Sequence, residues 1–302
     1  MSLPAGGWAV YNRRVNQAPA EDSPQAPRPE YDHEVGHTIW ELERTVRRGR
    51  VSDATRLSLV NAHVQQLRMV EARLGVAEAS RSFALLQDRI APSILLIPGE
   101  EQGCENLRSF AMSLYRAGFS VLASSLAYRN LDQPGQSPTY WQTCLDESEN
   151  RYDMLNHFAA RIAVVGVGLG AAIAIHLAAR RRVSAVIAFV PVLEATLGAG
   201  DRIRVALRNL LPRFFKKPTG WSMQRRLATA GVRKTMGQFG APVLALVDED
   251  AADRDAGRTL RLLQQLATGG TVSLSQVPAG ATSPDTLPAA TVDKVITFLK
   301  QR

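Results

Sequence analysis

The sequence predicts an α/β protein, a mostly parallel sheet with helices on both faces, preceded by a helical hairpin. Three observations carry that expectation. From residue 93 onward, short apolar runs alternate with helix-length segments, which requires crossover connections and a sheet buried on both sides. Residues 162–179, IAVVGVGLGAAIAIHLAA, compress an apolar strand, three alternating glycines and an apolar helix into one unit. Ahead of both, two stretches repeat apolar residues at the helical spacing of three and four.

The elements follow in order. Residues 1–31 are rich in Pro, Ala, Gly and Ser and read as a disordered tail. In the first helix Val35, Ile39, Leu42 and Val46 share a face. After Gly49, Ser52 is placed to cap a second helix with Leu57, Val60, Val64, Leu67, Val70 and Leu74 along one stripe. Two such helices joined by a short turn make a hairpin over 32–90. It either packs on its own domain or serves, through 35–74, as an arm for self-association or a protein partner.

SILLIPG (93–99) reads as a strand ending in a Pro-Gly turn, and NLRSFAMSLYRAG (106–118) as a helix stopped by Gly118. FSVLASSL (119–126) is the next strand and YWQTCLDESENRYDMLNHFA (140–159) the next helix. After the glycine turn come strands at 183–191 and 241–250, then a helix, the strand TVSLSQVP and a closing helix. An insertion between Val190 and Ala241 interrupts the alternation.

A hydrophobic content of 45% over 302 residues allows a sizeable core. No apolar run approaches the length of a membrane span, and the first residues, MSLPAGGWAVYNRR, lack a signal-peptide pattern. Two cysteines, Cys104 and Cys144, cannot build a disulfide framework. The expectation is a cytoplasmic protein, peripheral at a membrane or within a larger complex if its surfaces dock there. The net charge of +8 is regional: residues 202–234 hold ten Lys or Arg and no acid, which leaves the rest of the chain at −2.

Gly-rich strand-to-helix turns serve two chemistries. Gly166, Gly168 and Ala171 fit the dinucleotide pattern G-x-G-x-x-A formally. That fingerprint normally follows the first strand of its domain, and the acid expected at the next strand's end is missing. The nucleophile elbow, G-x-S-x-G, suits GVGLG better, with Gly168 where the serine would stand.

The order of elements, with an inserted cap after the elbow's next strand, resembles the α/β-hydrolase family, in particular its small carboxylesterase and monoacylglycerol-lipase-like members. ILLIPGEEQGCENLRSFAMSLYRAGFSVLASSL is similar to the family's oxyanion strand, helix and next strand, YWQTCLDE to its Trp-bearing helix start, and VVGVGLGAA to its elbow. The resemblance covers residues 91–302, with the cap near 192–238. It implies a pocket and oxyanion region at Pro98, Gly99, Glu100, Gly168 and Leu169. It also implies an acid at Asp248 or Asp250, with Glu249 and Asp253 nearby, and a base near Thr282.

The catalytic positions depart from that pattern. Acyl transfer needs a nucleophile, a histidine to take its proton and an acid to orient the histidine, and Gly168 offers no nucleophile. All five histidines precede residue 177, and Thr282, in VPAGATSPDT, is no base near neutral pH. Glu100 and Glu101 follow the oxyanion turn, where carboxylates oppose a developing anion. Cys104 has no activating neighbour in sequence. Ser124 and Ser125 read as polar turn residues, and His157 and His176 as structural. No cofactor and no metal cluster is implied.

The insertion carries Arg204 and Arg208 opposite an apolar face, then Arg213, Lys216, Lys217, Arg225 and Arg226 among Phe214, Phe215 and Trp221. It reads as a cap with a basic outer face, or as a dock for an anionic surface: lipid, acidic protein or nucleic acid. The expected function is that of a catalytically inactive hydrolase-fold protein, binding an apolar small molecule or acting as an interaction subunit. The alternative is a residual carboxylesterase or lipase-like hydrolase with a non-standard site, and a third reading is nucleotide binding at the glycine turn.

Overall fold

A computed structural model describes residues 33–48, 51–99, 103–125, 140–189, 232, 235, 240–248, 272–278 and 284–302. The expected tail (1–31), Glu100, Asp250, Thr282, the basic residues of 202–234 and nearly all of the expected cap lie outside them.

Seven strands form one sheet in the order β1-β3-β2-β4-β5-β6-β7. They are β1 Phe83–Leu85, β2 Ala91–Ile97, β3 Ser120–Ala123, β4 Ala159–Val167, β5 Val186–Phe189, β6 Val243–Asp248 and β7 Val272–Val277. Only β1 runs antiparallel, against β3; every other pairing is parallel. Six α-helices are described: α1 His33–Arg48, α2 Asp53–Arg73, α3 Arg108–Arg116, α4 Tyr140–Leu155, α5 Leu169–Arg180 and α6 Ala289–Lys300. None is long and apolar enough to cross a membrane.

Successive strand residues point to opposite faces, and the core divides accordingly. Leu95, Ile97, Leu122, Val164, Val186 and Ala245 join α2, α4 and α5 in one cluster. Ile94, Leu96, Val121, Val165, Ile187 and Leu244 join α3 and α6 in the other. A strand buried on both sides has no polar face to show, hence the continuous apolar runs in the sequence.

The helical hairpin packs against the sheet. Ser52 caps α2, accepting a hydrogen bond from the Thr55 N–H at 3.2 Å. Val60 and Val64 enter the sheet's core, while Leu59 and Ala62, on another side of α2, pack against Ile39 of α1. The Arg56 guanidinium donates to the His157 carbonyl (3.0 Å), and the Asp53 carboxylate accepts from the Ile90 N–H (3.0 Å), so the start of α2 is tied to the sheet's lower edge.

The far end of α2 is tied by a buried acid. Glu71 accepts from the backbone N–H of Ser82 (2.7 Å) and from its hydroxyl (2.5 Å), and the Ser82 Oγ accepts in turn from the Ser125 N–H (2.8 Å). Glu71 and Ser82 are fully buried. This chain links α2, the start of β1 and the end of β3. Neither β1 nor this network is evident from the sequence: three residues are too few for a strand pattern. Glu71 does have a signal, being an acid four residues after Leu67 on the α2 stripe.

Burial pushes the Glu71 carboxyl above its ordinary value, against the opposing pull of the Ser82 hydrogen bonds and the Arg151 and Arg81 cations. The folded state thus favours the protonated form. That stabilisation is full below the unfolded-state carboxyl pKa and is lost as pH rises through the raised folded value. Glu71→Gln, which keeps the shape without the charge, should gain in thermal midpoint relative to wild type as pH goes from 4 to 8. A constant offset across that range would contradict the assignment. Glu71→Ala strands the Ser82 donors and should cost about 1–3 kcal/mol in urea unfolding.

Candidate functional site

The site lies where neighbouring strands send their following helices to opposite faces. β2 is followed by α3 on one face and β4 by α5 on the other, and β2 and β4 are adjacent. Such a crevice at the carboxyl ends of parallel strands is where open α/β sheets place their ligands. Ile97 pairs with Gly166, so Pro98–Gly99 runs beside Val167–Gly168. The structure therefore brings Pro98, Gly99, Gly168 and Leu169 together at one strand edge.

Gly168 has φ 54° and ψ −115°, a conformation that costs any residue with a Cβ. Its N–H donates to the Phe189 carbonyl (3.1 Å), and its carbonyl accepts from the Ala171 N–H (3.1 Å) as α5 begins. The flanking glycines answer to close packing. A Cβ on Gly166 would fall on the Gly170 carbonyl, and one on Gly170 would lie 2.5 Å and 2.6 Å from the Ile97 and Pro98 carbonyl oxygens. The turn thus has the backbone of an elbow, with a bare Cα at its apex.

The other expected groups are distributed as follows. Asp248 ends β6, but its side chain, like Asp250 and Thr282, lies outside the described residues. Asp285 accepts hydrogen bonds from the N–H groups of Ser109 (3.2 Å) and Phe110 (2.8 Å) and so caps α3, whose own cap position, Leu107, has no side chain able to do so. The turn Pro284–Thr286 is therefore fastened to α3, the helix that follows β2. An acid 175 residues from its partner leaves no local signal in the sequence.

Ser124 and Ser125 are buried at the end of β3, where the Ser124 N–H donates to the Leu96 carbonyl (3.0 Å) and Ser125 to Ser82. Cys104 is fully buried on the turn before α3. His176 sits eight residues along α5, about 12 Å from the elbow at 1.5 Å per residue. Its Nδ1 is 3.2 Å from the Thr235 hydroxyl, and its ring packs at 5.1 Å on Trp141. His157 gives its carbonyl to Arg56. His63 is buried beside Glu43, with Nε2 3.5 Å from the carboxylate, between α1 and α2. None of these three histidines stands at the elbow.

No protein-family profile matches the chain, and no curated protein sequence matches it. Solved structures do. The fold is similar to that of the metagenome-derived lipolytic enzymes LipS and LipT (12% identity, TM-score 0.53, 74% of this chain and 98% of that one). It is similar also to a carboxylesterase of the ammonia-oxidizing thaumarchaeon Nitrososphaera gargenis (16%, 0.53, 73% and 93%) and to the monoacylglycerol lipase of Paleococcus ferrophilus (15%, 0.51, 73% and 98%). The chain has the α/β-hydrolase fold.

Gly168→Ala should lower stability by about 1–3 kcal/mol, the cost of a Cβ at this backbone conformation. Gly170→Ala should cost more, because its Cβ meets two backbone oxygens that cannot move aside. Urea unfolding of the two variants tests the order. A neutral Gly170→Ala would show that β2 and α5 do not approach as described.

Proposed function

We propose that this α/β-hydrolase-fold protein binds an apolar, acyl-type ligand in the crevice over the elbow and does not hydrolyse it. One observation carries the reading: the residue at the elbow's apex is Gly168, with φ 54° and no side chain to attack a carbonyl. The sequence supports it through the absence of any histidine after residue 176 and through Glu100 and Glu101 at the oxyanion turn. An interaction role, if it accompanies binding, falls to the outer face of α1, where Trp40 is 55% exposed beneath the Arg44 guanidinium, and to the basic stretch 202–234.

A second reading is a residual carboxylesterase or lipase-like hydrolase with a non-standard site. The structural neighbours, which include lipolytic enzymes, a carboxylesterase and a monoacylglycerol lipase, support this second reading better than the first. The chemistry of the elbow favours the first. Nucleotide binding at the glycine turn has less support than either. The glycines at 166 and 170 are accounted for by close backbone packing, and no acid ends the strand after the turn.

The purified chain should neither turn over short-chain nitrophenyl esters above the buffer rate nor take a fluorophosphonate label. Gly168→Ser should remain inactive, because a serine without a base is not activated. Wild-type turnover, or labelling at a defined residue, would establish the second reading. Strong activity in Gly168→Ser alone would reveal a base supplied from outside the described residues.

A further inference from the structure

A groove of about 630 Å³ opens at the edge of the sheet opposite the elbow, beneath the first residues of β4, β5 and β6. Its volume falls within the usual range of small-molecule sites. Arg161, Arg181 and Arg182 line it together with Asn156 and Ser184, and among the described residues no carboxylate does.

The three arginines are used differently. Arg181 is committed: its Nε and Nη2 donate to the two Asp153 carboxylate oxygens at 3.0 Å each, and Nη2 lies 3.2 Å from Glu149. Arg182 is held by its backbone alone. Its carbonyl accepts from the Tyr152 hydroxyl at 2.5 Å, the preceding N–H donates to Leu177 (2.8 Å), and the Ser184 N–H donates to Ile162 (2.7 Å). Among the described residues its guanidinium makes no hydrogen bond or ion pair. Arg161 is exposed, with a single 3.5 Å contact to the Lys300 carbonyl. The Arg182 guanidinium is thus unpaired among the described residues and that of Arg161 is held by one long contact, both on backbone already fixed in place.

We propose that this groove binds a soluble phosphate-bearing molecule, its phosphate bridged by Arg161 and Arg182 with Asn156 and Ser184 as neutral donors. Paired guanidinium forks match phosphate oxygens in geometry as well as charge. The concavity favours a small molecule over a nucleic-acid strand, and the lone aromatic of the lining, Tyr152, has its hydroxyl committed to Arg182.

Isothermal titration of the intact chain with inorganic pyrophosphate at low ionic strength tests the assignment. Saturable binding at one site is expected. It should weaken at least tenfold in the double variant Arg161→Gln/Arg182→Gln and stay unchanged in Arg116→Gln, an exposed arginine on α3. The substituted side chains are exposed, and a thermal melt without ligand confirms that the variants fold. No saturable binding overturns the proposal, as does equal binding by the double variant, which would assign the anion to another basic surface such as 202–234. Capture of the protein by phosphatidic acid vesicles that pyrophosphate does not compete away and that the double variant loses would also overturn it, in favour of a lipid surface.

Discussion

The close approach of β2 to the start of α5 is the constraint on which the architecture turns. With the Ile97 and Pro98 carbonyl oxygens lying where a Cβ on Gly170 would stand, the helix can begin directly against the neighbouring strand. β4 then pairs beside β2, α5 lies on the face opposite α3, and the two connections part at the carboxyl ends of the strands, the position where open α/β sheets place ligands. A side chain at 166 or 170 would push the helix away from the strands. The candidate site is a consequence of backbone packing before it is a matter of side-chain chemistry.

The N-terminal helices enter the same structure from the opposite direction. α2 spans the sheet from Asp53 near the lower edge of β2 to Glu71 near the upper end of β3. The fully buried carboxylate and serine bind the helix to a strand end that neighbours the crevice, so α2 braces the frame of the site. A buried carboxyl is expensive unless hydrogen-bonded, and Ser82 answers that by donating twice while its hydroxyl oxygen receives Ser125. The hairpin's apolar stripe is therefore spent inside its own molecule.

Much of the sheet is legible in the sequence for one reason: strands buried on both faces must be apolar at every position. That is why β2, β4 and β6 stand out as runs, and why alternation with helices implies parallel pairing. The cap at Ser52 is equally legible, because capping is a local contract between a hydroxyl and an N–H three residues on. What escapes is non-local or short. β1 is three residues long and exists only because β3 accepts it. Asp285 on the N-terminus of α3 and Glu71 on Ser82 are pairings across sequence distance, visible beforehand only as acids in unexpected places. At the site, the elbow is readable from its glycine spacing, whereas the opposite-edge groove is assembled from helix ends and strand starts with no motif of their own.

The elbow's glycines carry unequal information. Gly166 and Gly170 are demanded by steric contact with backbone, so they would persist in a packed molecule of this fold whatever its chemistry. Their presence says that the turn is tight and nothing about catalysis. Gly168 differs, since its conformation is the one that nucleophile elbows impose on a serine at a cost in strain. A glycine there removes the strain and the nucleophile in one step, and the fold gains stability from a position that catalysis would tax. Under the proposed reading, an elbow with its packing glycines kept and its strained position relaxed needs only the core to hold it. The chain's last 126 residues hold no histidine, which accords with that reading.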